Sequence, residues 1–261
     1  MKKKDGLDYF EKEWKELQRS LKAWYNDEEP EDLHRFRVQV KKLRAFITLA
    51  ESDRDKHPLK KRFKPVRRIF KRAGEIRDAY LHVNMIRDMK LGRMDILKEQ
   101  CEIQNKAGKE FEACKKDFFK DLKESHRSLI KKIRSINDAH IIRHYNLLLQ
   151  QIAKRLVNPK FDNELHGCRK LLKSLIYNYK LAQPVIDPPI NEDYLQDIQA
   201  AIGEWHDQAM VIDFFDRRGV KHQAAIIGLK KQEQKLKAAV RKLGKDFYQR
   251  GQNSQSSNPQ K

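Results

Sequence analysis

Glycine and proline are scarce in this sequence, and long apolar runs are missing. Only 10 glycines and 8 prolines stand among 261 residues, so residues that interrupt helices are few. Lys, Glu, Leu, Ile, Ala and Gln are instead abundant, and most of these residue types favour helices. No stretch approaches the ~18 apolar residues of a membrane-spanning helix. The composition therefore predicts an all-α fold without a membrane span.

Cysteine is also rare. Cys101, Cys114 and Cys168 are odd in number and show no C-x-x-C spacing, which argues against a disulfide framework and against a zinc site. The lysine-rich start of the sequence is not followed by the apolar segment of a secretion signal. We therefore expect a protein of a reducing compartment, the cytoplasm.

Acidic residues are strongly outnumbered. The chain has 57 Lys+Arg against 37 Asp+Glu, a formal net charge of +20. Such a charge concentrates polyanions near the protein surface. Nucleic acid, an anionic membrane and inorganic polyphosphate would all be attracted, so the charge predicts a negative partner without choosing among them.

One basic helix organises the rest of the sequence. At ~100° per residue, four side chains fall within an arc of roughly 80° on one side of this helix. These are His34, Arg37, Lys41 and Arg44. The adjacent face is apolar and contains Leu33, Phe36, Val40, Leu43 and Ile47. The basic row thus borders a face that is predicted to join a core.

A second helix repeats this design. Its basic row consists of His166, Arg169, Lys173, Tyr177 and Lys180. Its apolar face consists of Leu165, Cys168, Leu172, Leu175 and Tyr179. Because a helix rises ~5.4 Å per turn, each row presents cationic donors at a spacing that suits a linear anion.

Two landmarks recur in the same order, which indicates an internal duplication. Each half has an L-H-x-x-R helix and, about forty residues later, a G-E-x-x-D segment that begins at Gly74 or Gly203. The histidines are 132 residues apart and the glycines 129. We therefore predict two halves of four helices each, residues 1–135 and 136–250, followed by a disordered tail at 251–261. Two four-helix bundles about a pseudo-two-fold axis would bring both basic rows to one cleft.

Other interpretations of these residues remain open. Both histidines lie at a helix start, where they either bind an anion or cap and pack the helix. Neighbouring Arg and Lys side chains argue against a metal. Arg67 and Lys71 either extend the anion path or form a surface. The carboxylates of the G-E-x-x-D segments are expected to orient cations, although catalytic or metal use is the alternative.

At these positions the chain resembles the CHAD family, the conserved histidine α-helical domain. That family has a helix H-x-x-R-V-x-x-R-R-L-R before G-x-x-R-D, and later H-x-L-R-K-x-x-K-x-L-R-Y before G-E-x-x-D. The first pair matches at His34, Arg37, Val38, Lys41, Lys42, Leu43, Arg44, Gly74, Glu75, Arg77 and Asp78. The second matches at His166, Arg169, Lys170, Lys173, Leu175, Tyr177, Gly203, Glu204, His206 and Asp207. Ile176 and Cys168 depart from the pattern, which has Arg and Leu there.

The resemblance covers roughly residues 7–249 and implies two helical bundles that bind inorganic polyphosphate in a basic central cleft without chemistry. It also implies association with polyphosphate granules. We expect no cofactor and no metal. The residues expected to contact polyphosphate are His34, Arg37, Lys41, Lys42, Arg44, Arg67, Lys71, Arg77, His166, Arg169, Lys170, Lys173, Tyr177, Lys180 and His206.

Two other functions compete with this expectation. Nucleic-acid binding fits the charge, but the basic residues carry no base-stacking platform, RNP-like segment or zinc motif. An enzyme acting on phosphoanhydrides would need a Walker loop, a nucleophile constellation or the E-x-E-x-K strand of a triphosphate tunnel. Residues 110–115 are the segment most similar to that motif, but their Lys stands one residue later than the motif requires. The segment also lies in helical sequence.

Overall fold

The computed structural model describes residues 1–52, 58–89, 93–220 and 224–252. Within these ranges the chain forms α-helices joined by short connections, one 3-10 turn and an isolated bridge between Ile190 and Gln252, with no β-strand. The predicted all-α fold is confirmed. The chain divides into two compact units, Met1–Ile136 and Asn137–Lys261.

Six helices form the described part of the first unit. They are α1 (Lys3–Asp27), α2 (Pro30–Ala50), α3 (Pro58–Arg62), α4 (Lys64–Met89), α5 (Met94–Ala113) and α6 (Lys115–Ile130). Pro30 occupies the first turn of α2, where its missing N–H costs nothing. The fully buried Glu51 accepts hydrogen bonds from the backbone N–H groups of Leu59 (2.5 Å) and Lys60 (3.2 Å), which fixes the start of α3.

The apolar face expected of α2 is buried. Leu33, Phe36, Val40, Leu43 and Ile47 are each at most 2% exposed. They pack in a core that α1 shares, with Phe10, Trp14 and Leu17 fully or almost fully buried. The basic row of α2 consequently lies at the border of this core, as the helical spacing requires.

The sequence pattern predicts one long helix over residues 94–123, either an outer bundle helix or a projecting arm, but the chain breaks at Cys114 into α5 and α6. Tyr25 of α1 donates its hydroxyl to the carbonyl of Phe111 at 3.0 Å, and the N–H of Cys114 bonds that same carbonyl at 3.2 Å. This pattern bends the chain so that both Phe111 and Phe118 are buried. The segment packs on α4 and α1 within the first unit and is not a projecting arm.

Five α-helices lie in the residues of the second unit that the structure describes. They are α7 (Asp138–Val157), α8 (Asn163–Ala182), α9 (Glu192–Asp216), α10 (Ala224–Gly244) and α11 (Phe247–Arg250), with a 3-10 turn at Gln183–Val185. Asn137, Asp162 and Asn191 each cap a helix, because each side-chain oxygen accepts a hydrogen bond from a backbone N–H of the first turn. These caps explain where α7, α8 and α9 begin.

The sequence pattern also predicts one last helix over residues 223–249, but α10 ends at Gly244 and α11 begins at Phe247. The hydroxyl of Tyr194 donates a hydrogen bond to the carbonyl of Leu243 at 2.7 Å. Asp246 adopts a left-handed backbone conformation with φ 55°. α11 then turns so that Phe247 is buried. Gly251, expected in the tail, accepts a hydrogen bond from the N–H of Asn191 at 2.9 Å, whereas 253–261 and Gln223 lie outside the described residues.

The expected apolar face of α8 is buried, with Leu165, Cys168, Leu172 and Leu175 at most 1% exposed and Tyr179 3% exposed. The pseudo-two-fold relation between the halves, and the shared cleft that depends on it, stay predictions. Among the helices of the described ranges, none is long and apolar enough to cross a membrane.

Candidate anion-binding site

Two histidines meet on facing helices of the second unit. The rings of His166 near the start of α8 and His206 on α9 stack with their centroids 4.0 Å apart and their planes at 24°. Nδ1 of His166 is buried and has no hydrogen-bond partner among the residues described. A buried polar atom without a partner costs free energy, so this nitrogen is an unsatisfied polar group within the described structure.

The surroundings of His166 disfavour its charged form. Burial is the largest cause that lowers its pKa, to about 4, and the positive charges of His206, Lys170 and Arg169 lower it further. Asp207 acts in the opposite sense. The imidazole is consequently neutral near pH 7, and an anion placed beside it would raise its pKa.

Arg169, one turn after His166, lies against Gly203 of α9. The Nε of Arg169 is buried without a hydrogen-bond partner in the described part of the chain. Burial lowers the pKa of Lys173, with Arg169 adding to the effect, and burial raises the pKa of Tyr177, which Arg169 opposes. These interactions place Lys173 and Tyr177 beside the same guanidinium.

Asp207 supplies the negative charge that these cations share. Partial burial alone would raise the pKa of Asp207, but the hydrogen bond from His206 and the charges of Arg169 and Lys173 outweigh it, so the pKa is lowered. The six side chains brought together here are called the second-unit cluster: His166, Arg169, Lys173, Tyr177, His206 and Asp207. The cluster is cationic overall, and two of its buried nitrogens, Nδ1 of His166 and Nε of Arg169, have no partner among the described residues.

Arg37 has the matching position in the first unit, against Gly74 of α4. Its Nη1 donates to the carbonyl of Phe70 at 3.1 Å, and its Cζ lies 4.4 Å from the centroid of the Phe70 ring. Burial lowers its pKa, Asp78 raises it and Arg77 lowers it. Arg37 still stays protonated near pH 7, because guanidinium pKa values start far above that.

The other basic residues expected in the first unit divide between α2 and α4. Burial and the charge of Arg67 lower the pKa of Arg44, so these two arginines lie near each other. Arg77 lies over the ring of Tyr80, 5.3 Å from its centroid. Lys41 and His34 are half-buried on α2, while Lys71 is exposed on α4. We call Arg37, Lys41, Arg44, Arg67 and Arg77 the first-unit row.

Lys42 has a different neighbour from Lys41. Its Nζ donates to the carboxylate of Glu13 on α1 at 3.1 Å, and the side chain of Glu13 is only 7% exposed. A helix turns about 100° per residue, so Lys42 faces α1 while Lys41 lies along the basic row. The ion pair assigns Lys42 to the contact between α1 and α2.

Lys170 and Lys180 are exposed on α8. The charge of Lys170 contributes to the lowered pKa of His166, which places it near the second-unit cluster. Lys180 lies in the last turn of α8, where a cation complements the helix dipole.

Gly74 and Gly203 are the residues whose part in the site was missed from the sequence. Both had been recognised as landmarks, but only the structure shows an arginine lying directly against each of them. The available signal was the pairing itself, since the L-H-x-x-R helix and the G-E-x-x-D segment recur together. The glutamates of those segments do not share one set of contacts. Glu75 forms an ion pair with Arg72 at 3.5 Å, and Glu204 is exposed.

Comparison with known proteins identifies the family. The chain is similar over 90% of its length to 88% of a solved chain described as "Crystal structure of the CHAD domain from the plant Ricinus communis", with a TM-score of 0.61 and 16% identity. That likeness concerns the fold alone. No curated protein matches the chain. A family model described as the CHAD domain matches residues 8–216, most of the sequence, and the chain therefore belongs to the CHAD domain family.

Proposed function

We propose that this protein binds inorganic polyphosphate, without chemistry, through the first-unit row and the second-unit cluster. Family membership supports a role related to polyphosphate. The observation that carries the proposal is the second-unit cluster, where buried Nδ1 of His166 and buried Nε of Arg169 have no partner among the described residues. Phosphate oxygens are the complement of such donors.

The mixture of cation types suits a chain of identical anions. The planar guanidinium of an arginine binds two oxygens of a phosphate together, while a lysine ammonium binds as a point charge without a fixed direction. Arg169 and Lys173 lie one turn apart on α8, as Arg37 and Lys41 do on α2. One turn rises ~5.4 Å, which is longer than the distance between neighbouring phosphorus atoms across one P–O–P bridge, so cations one turn apart would reach alternate phosphates of the chain.

A competition experiment separates this function from nucleic-acid binding. Labelled duplex DNA is bound to the protein at moderate salt, and long-chain polyphosphate is added at equal phosphate concentration. We expect the polyphosphate to displace the DNA, because closely spaced arginines and half-buried histidines fit a thin, densely charged chain better than a wide duplex. Retention of the DNA would contradict the proposal.

A four-site variant tests where binding occurs. Replacing Arg37, Lys41, Arg169 and Lys173 by Glu removes four cations and adds four anions on α2 and α8. We expect no measurable polyphosphate binding, with helical content unchanged by circular dichroism. The matched control places four Glu substitutions on α10, at Lys230, Lys231, Lys235 and Lys242. This control removes the same total charge, so retained binding in it and loss in the first variant would show that position matters.

A further inference from the structure

Gly74 and Gly203 lie where a side chain of any size would collide with an arginine. A β-carbon built on Gly203 would be 2.5 Å from Nη2, 2.8 Å from Cζ and 2.9 Å from Nε of Arg169. On Gly74 it would collide with Nη1 of Arg37 even more closely. Ordinary van der Waals contacts start near 3.4 Å, so alanine at either position requires the guanidinium to move.

Other helical glycines do not share this feature. A β-carbon on Gly108 of α5 or Gly228 of α10 would meet no atom within 4 Å in the described structure. Alanine at those two sites would be expected to stabilise the helix, because glycine has more backbone freedom to lose on folding. Among the glycines that the structure describes, Gly74 and Gly203 are therefore the two that an arginine approaches this closely.

In both units an aspartate lies near the arginine that contacts the glycine. Four residues after each glycine, about one turn along the helix, stands an aspartate whose charge acts on the same arginine: Asp78 on Arg37, and Asp207 on Arg169. Each arginine thus lies against helix backbone at the glycine and beside a carboxylate. This contact explains in physical terms why the two sequence landmarks occur as a pair.

We propose that Gly203, and Gly74 in the first unit, are positioning residues of the polyphosphate site: each admits an arginine against the helix backbone and so fixes its guanidinium for an anion. This inference rests on the proposed function. A guanidinium held in place loses less side-chain entropy when it binds a phosphate than a freely rotating one does. The glycines themselves touch no ligand.

The second unit gives the sharper test, because the buried Nε of Arg169 has no partner among the described residues. Polyphosphate affinity is measured for the wild type, Gly203→Ala, Arg169→Ala and the double variant, with Gly228→Ala as the matched control. We expect Gly203→Ala to weaken binding about tenfold, and the double variant to bind as weakly as Arg169→Ala alone. Gly228→Ala is expected to keep wild-type affinity.

Salt dependence provides a readout that a general loss of stability would not change. The slope of log affinity against log salt concentration reports how many phosphates are neutralised. We expect Gly203→Ala to lower that slope by about one contact, as Arg169→Ala does. If Gly203→Ala folds poorly, the Gly203→Ala/Arg169→Ala double variant removes the collision and should fold well, which confirms the steric part in thermal unfolding.

The failures of the two proposals are distinguishable. Wild-type affinity and slope in Gly203→Ala, together with weakened binding in Arg169→Ala, would overturn the positioning role and leave the proposed function standing. Fully additive losses in the double variant would overturn it as well. Wild-type affinity in Arg169→Ala and Arg37→Ala together would overturn the site that both proposals share.

Discussion

Arg37 and Arg169 have the same place in their units but different partners. Arg37 donates to the carbonyl of Phe70 and lies over its ring, whereas the buried Nε of Arg169 has no partner among the described residues. In the repeat of 129 residues, Gln199 stands where the first unit has Phe70, and His206 stands where it has Arg77. The first unit uses its arginine largely for its own packing, while the second leaves a buried nitrogen of its arginine without a partner among the described residues.

The different partners of Arg37 and Arg169 predict different contributions to ligand affinity and to the free energy of unfolding. A buried N–H without a partner costs about 1–3 kcal/mol, which a bound anion would return as affinity. A donor already bonded to a carbonyl offers a ligand less. We therefore expect the second-unit cluster to contribute more to affinity, and the first-unit arginine more to stability.

The largest effect is expected from reversing charge in one unit at a time. Arg169→Glu/Lys173→Glu places two carboxylates in the second-unit cluster, and Arg37→Glu/Lys41→Glu does the same in the first-unit row. We expect the second-unit variant to lose more than about a hundredfold in polyphosphate affinity and the first-unit variant to lose less, as measured by calorimetric titration at fixed salt. Equal losses would remove the distinction between the units.

Single arginine truncations sharpen the comparison, because affinity and stability should change in opposite order. Arg169→Ala is expected to lower affinity about tenfold with little change in melting temperature. Arg37→Ala is expected to lower affinity only a few-fold and to destabilise the protein by about 1–2 kcal/mol, since it loses the Phe70 carbonyl bond and the ring contact. Thermal unfolding would show this as a melting temperature about 2–8 °C lower.

A smaller effect is expected from pH, through His166. Its pKa in the folded protein is about 4, below the ordinary 6.5, so the unfolded chain binds the proton more readily. Its contribution to stability is therefore complete above about pH 6.5 and is lost as the pH falls towards 4. The groups that face it are His206 and Asp207 from α9 and Arg169 and Lys170 from its own helix.

Polyphosphate affinity is expected to depend on pH in the opposite direction from stability. An anion beside His166 raises the pKa of the imidazole, so binding takes up a proton and affinity rises as the pH falls from 7 towards 4. Calorimetry in buffers of different ionisation enthalpy measures that uptake directly. His166→Gln should reduce it, and an unchanged proton uptake in this variant would show that His166 does not contact the ligand.

The smallest effect on binding is expected at Lys42, although its sequence position suggested a ligand contact. Lys42→Ala leaves the buried carboxylate of Glu13 without its cation, which is expected to cost about 1–3 kcal/mol of stability. Polyphosphate affinity should stay close to that of the wild type. Lys41→Ala is the neighbouring comparison, and it should weaken binding with less effect on stability.

The sequence predicted the helices and their buried faces because both depend on local periodicity. The apolar faces of α2 and α8 repeat at helical spacing, and side-chain caps at Asn137, Asp162 and Asn191 mark helix starts. The breaks at Cys114 and near Asp246 were not predictable in this way. They depend on hydroxyl groups of Tyr25 and Tyr194, which are 86 and 49 residues away from the carbonyls that they bind.

The candidate site likewise has some features that local periodicity predicts and others that depend on contacts between helices. Periodicity along one helix placed His166, Arg169 and Lys173 in one row, and in the structure the charge of Arg169 lowers the pKa of both His166 and Lys173. The stacking of His206 on His166 and the contact of Arg169 with Gly203 depend on how α8 packs on α9, which no spacing within a single helix specifies. Lys42 was misleading for the same reason, since Glu13 lies on another helix.

The most direct test follows the unused donor itself. In a nitrogen-15 NMR titration with polyphosphate, the Nε–H resonance of Arg169 and the ring nitrogens of His166 are observed as the protein is saturated. The account predicts saturable shifts at both residues, with a smaller change at Nε–H of Arg37. Saturated binding that leaves the resonances of Arg169 and His166 unmoved would contradict it.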